Sequence, residues 1–438
     1  MENSGVSLWE KAKRIIPGGN QLLSKRSEMF LPDLWPSYYK KAKGCEVWDM
    51  DDNHYYDFAQ MGVGSCTLGY ANDHINKLVI NAIENGSMCS LNSYEEVELA
   101  ERLIALHSWA DMARFSRTGG EACSIAIRIA RAATNRSKVA FCGYHGWHDW
   151  YISANIGSSS NLDEQLLPGL KPSGVPRELY NTAIPFNYNS LVELNDIVDK
   201  YGSDIAAIIM EPQRGTSPTK EFLEGVRSIA SKIGAVLIFD EVTSGFRVNI
   251  GGLHKTMGVN PDIAVFGKAL GNGFPISAII GRREVMDSAQ NSFISSTFWT
   301  ERIGYVSALA SLDYMEKVDS PSLLIKWGDR INECWRAAAN ENDIEIHISG
   351  VSPLTHLDFV HPEKLALQTL YAQIMLEYGF LLGASVYSTT AYNDEIIQKF
   401  ERATHKSFEI LSDAIKHDSI KNQLLGEIKH TGFKRLVD

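Results

Sequence analysis

Two short apolar runs of this sequence each end in an ionisable residue. The run "AVLIFD" ends in Asp240, and "IAVFGK" ends in Lys268, which is flanked by uncharged residues. A lysine that loses solvation at a buried strand end favours the neutral amine, the form that attacks carbonyl groups. A buried carboxylate needs a cationic or protonated partner, and a protonated heteroaromatic nitrogen would be one. Alternatively, Lys268 is a turn lysine facing water, and Asp240 caps a helix in the following loop or pairs with Arg247.

A third chemical feature is the glycine turn of "TGGEACSIAIRIARAAT", which leads from a short strand into a helix. Gly119 and Gly120 let backbone N–H groups approach a ligand, and a helix beginning at Glu121 offers a site for an anion such as phosphate. A tight turn in which Glu121 serves the helix dipole is the alternative. A phosphate, an aldehyde and a protonated ring nitrogen are together the three handles of pyridoxal 5'-phosphate. Tyr144 in "GYHGWHDW" could stack on the ring of this cofactor, with Trp147 and Trp150 as competing candidates, or it could pack in the core.

These residues require a scaffold that brings distant segments together. From about residue 112 to about residue 282, short apolar runs alternate with helical stretches such as "EFLEGVRSIASKIG". This alternation predicts a mostly parallel sheet covered on both faces, and ligands bind beyond the carboxyl ends of such strands. The predicted strands are "MARFS", "KVAFC", "IAAIIM", "AVLIFD", "IAVFG" and "SAIIG". The functional groups expected at five strand ends are Gly119 with Gly120, Tyr144 with His145, Glu211, Asp240 and Lys268.

The chain is expected to divide into three segments. Residues 1–70 form an N-terminal segment in which "GCEVWDMDDNHYYDFAQ" is a hairpin with an Asp/Asn turn. Residues 71–324 form the large cofactor-binding domain, and residues 325–438 form a smaller α+β domain with the strands "IEIHISG" and "PLTHLDFV". The stretch from Asn155 to Asn187 is rich in Gly, Ser, Pro and Asn, and we interpret it as a long functional lid without secondary structure.

The composition excludes several classes of protein. A chain of 438 residues is expected to form about two to three domains. Lys+Arg 42 against Asp+Glu 53 gives a net charge of -11, which argues against a general nucleic-acid binder. The apolar runs are far shorter than the ~20 residues that span a bilayer, and the start of the chain has no secretion signal. We therefore expect a cytoplasmic protein that binds neither nucleic acid nor membrane.

The cysteines and histidines give no pattern of metal ligands. Six cysteines are scattered without a CxxC pair, which is typical of reduced, buried side chains in a cytoplasmic protein. His145, His148 and Asp149 cluster in a Trp-rich turn, but their spacing is not that of a zinc site. No GxxxxGK[ST] or GxGxxG motif follows a predicted strand. We expect neither a metal site nor a nucleotide site.

The ordered motifs "YHG", "EP", "DEV" and "FGK" resemble those of the class III aminotransferases of pyridoxal-phosphate fold type I. Within this family the chain is similar to the branch that includes glutamate-1-semialdehyde 2,1-aminomutase. The resemblance runs from "IPGGNQ" near the N-terminus to "YNDEIIQKFERA" near the C-terminus. It implies a large domain with a mostly parallel central sheet, and a smaller α+β domain formed by the chain ends.

The resemblance also implies roles for single residues. Lys268 would form the Schiff base with pyridoxal 5'-phosphate and move the proton between substrate and cofactor, and Asp240 would pair with the pyridine nitrogen. Gly119 and Gly120 would hold the phosphate. The family often has Gly-Thr before "EA" in this turn, so the chain lacks one hydroxyl contact there.

Further residues of the expected cofactor site follow from the same resemblance. Tyr144 would cover one face of the ring and Val242 the other, with His145 and Glu211 nearby. Thr297 in "SSTFWTERIG" is similar to the threonine that reaches the phosphate of a neighbouring subunit. A site shared in this way implies a homodimer.

The predicted function is transfer of an amino group between an amine or amino-acid donor and a carbonyl acceptor through Lys268. An intramolecular aminomutase is the alternative within the family, although "FWTERIG" replaces the "LSGNP"-like run usual after the threonine. A non-catalytic binding protein on the same fold is the alternative of another class, and the presence of Lys268 argues against it. Trp147, Trp150 and Trp299 indicate a substrate larger or less acidic than glutamate semialdehyde.

Overall fold

The computed structural model describes residues 4–163, 165, 168–213, 215–432 and 436. The chain forms two compact units, of which one is Asp73–Pro321 and the other combines Met1–Asn72 with Ser322–Asp438. The segment boundaries expected at residues 70 and 325 stay predictions. None of the helices in the described ranges is long and apolar enough to cross a membrane.

Strands and helices are numbered along the chain. The strands of the described residues are β1 (Tyr39–Lys43), β2 (Glu46–Asp49), β3 (His54–Phe58), β4 (Met112–Ser116), β5 (Lys138–Cys142), β6 (Ala183–Pro185), β7 (Ile205–Met210), β8 (Val236–Asp240), β9 (Ile263–Phe266), β10 (Ser277–Gly281), β11 (Ile346–Ser349), β12 (Leu354–Phe359), β13 (Phe380–Leu382) and β14 (Ser385–Tyr387). The α-helices are α1 (Ser4–Ile15), α2 (Asp73–Glu84), α3 (Glu95–Leu106), α4 (Gly119–Thr134), α5 (Asp149–Ile152), α6 (Ala154–Gly157), α7 (Leu191–Tyr201), α8 (Lys220–Ile233), α9 (Arg283–Met286), α10 (Arg302–Val318), α11 (Ser320–Glu341), α12 (Lys364–Glu377) and α13 (Asp394–Lys416).

The larger unit contains a seven-stranded sheet with the order β4-β10-β9-β8-β7-β5-β6. Strands β9, β8, β7, β5 and β6 pair in parallel, and β10 lies antiparallel to both β9 and β4. All six predicted strands are present, and the prediction of a mostly parallel sheet is confirmed. The direction of β10 could not be read from its sequence, because a strand buried on both faces has the same apolar composition in either direction.

Apolar side chains cover both faces of this sheet. Every residue of β7 and β8 is buried, and successive residues point to opposite faces. Ile209 and Ile238 pack in one cluster with apolar residues of α4, whereas Met210 and Phe239 pack in a second cluster with residues of α7 and α8. Burial of each such side chain contributes about 1.5–3 kcal/mol. The sheet is therefore a rigid support for the loops at its edge.

The predicted lid from Asn155 to Asn187 is wrong in part. Its first residues belong to α6, a 3₁₀ turn covers Arg177–Leu179, and β6 pairs with the edge of β5. Strand β6 is only three residues long and ends in a proline, so it has no alternating pattern that sequence reasoning could detect. Positions 164, 166 and 167 of the predicted lid lie outside the described residues.

The smaller unit carries two sheets, with the strand orders β1-β2-β3-β13 and β11-β12-β14. The predicted hairpin is present as the antiparallel pair β2 and β3, and the predicted strands β11 and β12 also pair. Segments from both chain ends share its core, because Phe58 of β3 stacks on Phe400 of α13 at 4.4 Å. Five of the six cysteines in the chain are buried, but Cys89 is exposed, so the expectation of buried cysteines is wrong there.

Candidate active site

Five strands of the larger sheet end at the same edge. Strands β5, β7, β8 and β9 run parallel, and β4 points in the same direction because both β4 and β9 are antiparallel to β10. The groups predicted from the sequence follow the carboxyl ends of these five strands. In an open parallel sheet this edge is the usual position of a ligand site.

Asp240, the last residue of β8, is buried and accepts hydrogen bonds from three donors. Its Oδ2 atom lies 2.8 Å from Nδ1 of His145 and 3.2 Å from Sγ of Cys123, and its Oδ1 accepts the backbone N–H of Val242 at 3.0 Å. Nε2 of His145 lies 3.2 Å from the carbonyl oxygen of Cys142. Both ring nitrogens of His145 therefore face acceptors, which fixes the ring beside the carboxylate.

The grouping of Cys123, His145 and Asp240 could in principle hold a metal ion. Their ligand atoms lie within 4.8 Å of one another, and all three residues are buried. However, burial and the neighbouring Asp240 carboxylate raise the pKa of the Cys123 thiol well above its ordinary value. A thiol that stays protonated donates a hydrogen bond but is a poor metal ligand. The arrangement is that of a hydrogen-bonded carboxylate, and the expectation of no metal stays a prediction.

Lys268 begins a 3₁₀ turn that follows β9. Its backbone has φ 43°, in the left-handed region that residues other than glycine seldom adopt. The Nζ atom donates to Oγ1 of Thr243 at 2.9 Å. Strained backbone at a non-glycine residue often marks a functional position, and here it places the amine beside the loop that follows β8.

The glycine turn begins α4 two residues earlier than the sequence predicts. The helix starts at Gly119 rather than Glu121, because Thr118 caps it and Glu121 closes a capping box with the N-cap. A Cβ atom on Gly119 would lie 2.8 Å from Cγ1 of Val242. Glycine is thus required for this contact, which brings the loop after β8 against the phosphate-binding turn of the prediction.

The segment after β5 packs on the same turn. Gly146 has φ 101°, and a Cβ atom there would lie 2.8 Å from Cα of Gly120. Oε2 of the buried Glu211 accepts the backbone N–H of Tyr144 at 3.1 Å, so Glu211 orients this segment. The ring of Tyr144 is partly buried and makes an edge contact with Tyr151 at 5.9 Å.

Thr297 lies in an exposed 3₁₀ turn, and its described contacts do not include the group around Asp240 and Lys268. Its carbonyl oxygen accepts from Thr300 at 2.8 Å. The turn is nevertheless fixed to the glycine turn, because Arg117 donates from Nε to the carbonyl of Phe298 at 2.6 Å and from Nη2 to that of Trp299 at 3.2 Å. The side chain of Thr297 thus stands on an exposed element that Arg117 attaches to the start of α4.

Sequence reasoning missed several residues that support the site. Glu241, next to Asp240, is fully buried and accepts from the backbone N–H groups of Leu253 and His254 at 2.9 Å and from Nδ1 of His254 at 2.8 Å. Nε2 of His254 accepts from Trp109 at 3.1 Å. Cys123, Thr243 and Arg117 were missed too, because their partners are distant in sequence and no local motif indicates them.

The residues present fit the aldehyde, the ring nitrogen and the phosphate of pyridoxal 5'-phosphate. The site offers an amine at Lys268, a buried carboxylate at Asp240, and the N–H groups of Gly119 and Gly120, which have no partner among the described residues. Gly119 lies against Val242 at a distance that a Cβ atom would not allow, so glycine is needed at this point of the turn. Val242 and Tyr144 provide an aliphatic and an aromatic surface in the same unit.

Comparison with known proteins shows the family to which the sequence is similar. The sequence profile of the family described as aminotransferase class-III matches residues 32–382. A 3-aminobutyryl-CoA aminotransferase of Cloacimonas acidaminovorans (strain Evry) is 33% identical over 381 residues, covering 85% of this chain and 86% of the relative. A glutamate-1-semialdehyde 2,1-aminomutase of Methanothrix thermoacetophila is 33% identical over 427 residues, covering 91% of this chain and 94% of the relative.

Solved structures share the fold. The structure of the PLP internal aldimine form of the FumI protein from Sphingopyxis sp. MTA144 has a TM-score of 0.86 at 24% identity, covering 94% of this chain and 97% of that one. A structure described as a transaminase with PLP bound has a TM-score of 0.82 at 25% identity, covering 94% of this chain and 99% of that one.

Proposed function

Because the chain belongs to the class III aminotransferases, we propose that it uses pyridoxal 5'-phosphate to transfer an amino group from an amine or amino-acid donor to a carbonyl acceptor. One observation carries the proposal. The buried carboxylate of Asp240 and the amine of Lys268 follow the adjacent parallel strands β8 and β9, and Lys268 bonds to Thr243 in the loop after Asp240.

Lys268 would hold the aldehyde of the cofactor through Nζ. When bound, pyridoxal phosphate supplies an electron sink that stabilises negative charge at the substrate carbon. Once displaced by the donor amine, Nζ of Lys268 would take the proton from that carbon as a general base and return it as a general acid. The hydroxyl of Thr243 accepts a hydrogen bond from Nζ and so restricts where the amine stands.

Asp240 would keep the pyridine nitrogen protonated. Two side-chain groups, those of His145 and Cys123, converge on one of its oxygens and hold the carboxylate in place. Val242 donates its backbone N–H to the other oxygen, and its side chain would cover the ring face opposite Tyr144. Glu211 would act through the backbone of Tyr144 as a positioning residue.

The active form is proposed to be a cytoplasmic homodimer. Phe298 and Phe293 are 69% and 89% exposed, which is unusual for side chains of this size. They flank Thr297, the residue expected to reach the phosphate of a neighbouring subunit. A second copy of the chain would cover these rings and would bring Thr297 to the site of its partner.

Donor and acceptor are proposed to be separate small molecules. Among the relatives, one is named for 3-aminobutyryl-CoA, and another, from Streptomyces kanamyceticus, is named as a 2'-deamino-2'-hydroxyneamine transaminase. Trp147, beside the glycine turn, is 70% exposed and offers an apolar surface to a substrate larger than glutamate semialdehyde. The aminomutase relatives keep the one-substrate reaction as a second candidate.

The test of this function is substitution of Lys268. The purified wild type is expected to bind pyridoxal phosphate with a visible absorbance band, whereas Lys268→Ala is expected to lack the band of the lysine-bound cofactor. Amino transfer should fall by about 10²–10⁴-fold, since general acid–base catalysis contributes that much. Lys220→Ala, at a side chain that is 78% exposed, is the matched control and should keep both.

A screen of amine donors with several keto and aldehyde acceptors separates the two reactions. A transferase needs an acceptor, whereas a mutase converts one substrate without it. Wild-type protein that stays colourless when pyridoxal phosphate is added would overturn the assignment, and strong activity on glutamate semialdehyde alone would favour the mutase.

A further inference from the structure

His148 carries a buried nitrogen that the protein leaves without a partner. The residue stands at the N-cap position of α5, but its side chain makes no capping bond. Nδ1 is inaccessible to solvent and lacks a hydrogen-bond partner among the described residues. An unsatisfied buried nitrogen costs about 1–3 kcal/mol, and such groups in native proteins often serve a ligand.

The orphaned nitrogen borders the glycine turn. A Cβ atom on Gly120 would lie 3.3 Å from both Nδ1 and Cε1 of His148, so this edge of the ring faces the start of α4. The ring stacks on Trp147 at 4.4 Å with 25° between the planes, which holds its orientation. The imidazole edge therefore lies against Gly120 in the first turn of α4.

We propose that His148 donates a hydrogen bond to the phosphate of pyridoxal phosphate and takes the place of the hydroxyl that Gly120 lacks. The inference rests on the proposed function. Gly120 stands where the family resemblance implies a threonine. A side chain there would crowd the ring of His148, so the hydroxyl and the imidazole compete for the same space. A hydrogen bond from N–H to a charged phosphate oxygen is about twice as strong as a neutral one.

The substitution His148→Phe tests this role, because it removes both nitrogens and keeps a ring to stack on Trp147. Cofactor-free enzyme is titrated with pyridoxal phosphate and, separately, with pyridoxal, which has the same ring and aldehyde without the phosphate. His148→Phe is expected to raise the Kd for pyridoxal phosphate about 10–100-fold, as loss of a bond to a charged group predicts. The Kd for pyridoxal should stay within about twofold.

The double variant Gly120→Thr/His148→Ala is the matched rescue. It restores a hydroxyl and frees the space that the imidazole fills, so it should recover most of the lost affinity. Equal weakening for both probes, or no weakening for either, would overturn the role of His148. If the wild type itself binds no pyridoxal phosphate, the proposed function fails instead. Should His148→Phe not fold, His148→Leu, which also lacks a donor, gives the same comparison of the two probes.

Discussion

At the scale of single residues, the site is organised around a carboxylate that cannot reach water. Asp240 is only 5% exposed, and each of its three donors comes from a different segment of the larger unit: Cys123 from α4, His145 from the loop after β5, and Val242 from the loop after β8. A buried carboxylate is stable only when its oxygens are bonded. These contacts fix the orientation of the carboxylate, which under the proposed function would face the ring nitrogen.

The substitution Asp240→Asn keeps the shape of the side chain but removes the charge. We expect amino transfer to fall about 10²–10⁴-fold, because removing one partner of a buried ion pair costs about 3–5 kcal/mol. The kcat and KM for the best substrate pair measure this effect, and the Kd for pyridoxal phosphate separates it from loss of cofactor. Asp196→Asn, at an exposed position of α7, should change neither. An Asp240→Asn enzyme with more than about a tenth of wild-type kcat would contradict the assigned role.

At the scale of elements, the sequence indicated those features that local composition determines. Strands β7 and β8 are wholly apolar up to a polar end, so both they and the residues after them could be identified. The partners of Asp240 could not, since His145 and Cys123 reach it only after helix and sheet have packed. The same holds for the contact of Glu241 with His254 and for the fixing of the Thr297 turn by Arg117.

Another long-range contact, between His107 and Gly252, makes the stability of the larger unit depend on pH. Burial lowers the pKa of His107 to about 4, and His254 and Lys255 act in the same direction, whereas the backbone bond to Leu103 and the charge of Glu241 oppose it. Nε2 of His107 accepts the backbone N–H of Gly252 at 3.2 Å, which requires a neutral ring. Because the folded pKa lies below the unfolded value, the unfolded chain binds more protons between about pH 6.5 and pH 4. Stability is therefore lost as the pH falls through this window.

The expected loss from His107 is up to ~3 kcal/mol across the full window. It is measured as the fall in the urea midpoint between pH 7 and pH 5, in wild type and in His107→Gln, which can keep a donor and an acceptor but does not titrate. The variant should show the smaller fall. His417→Gln, at an exposed histidine, should behave as wild type. Identical pH profiles for wild type and His107→Gln would refute the role of this buried ring.

At the scale of the whole molecule, the larger unit has exposed apolar side chains on two segments that are linked to each other. The backbone N–H of Arg302 donates to Ser87, and its guanidinium pairs with Glu95. These bonds hold the segment around Leu91, which is 79% exposed, beside the turn that carries Phe298. Monomeric proteins seldom leave such neighbouring apolar groups exposed, which favours a second copy as the group that covers them.

The substitution Phe298→Asp tests the proposed dimer without disturbing the turn, because Arg117 and Tyr305 bind carbonyl oxygens there and not the phenyl ring. We expect the dimer dissociation constant to rise about 30-fold or more, as for the loss of ~2 kcal/mol at the centre of an interface. Sedimentation at decreasing protein concentration measures it. Val192→Asp, at a position that is 73% exposed on α7, places the same charge elsewhere and should leave the association unchanged. If the proposed dimer is right, the Kd for pyridoxal phosphate should rise with dissociation, because a monomer would lack the Thr297 of its neighbour. A Phe298→Asp protein that dissociates but binds the cofactor as tightly as wild type would remove Thr297 from the site, and one that stays dimeric would place the interface elsewhere.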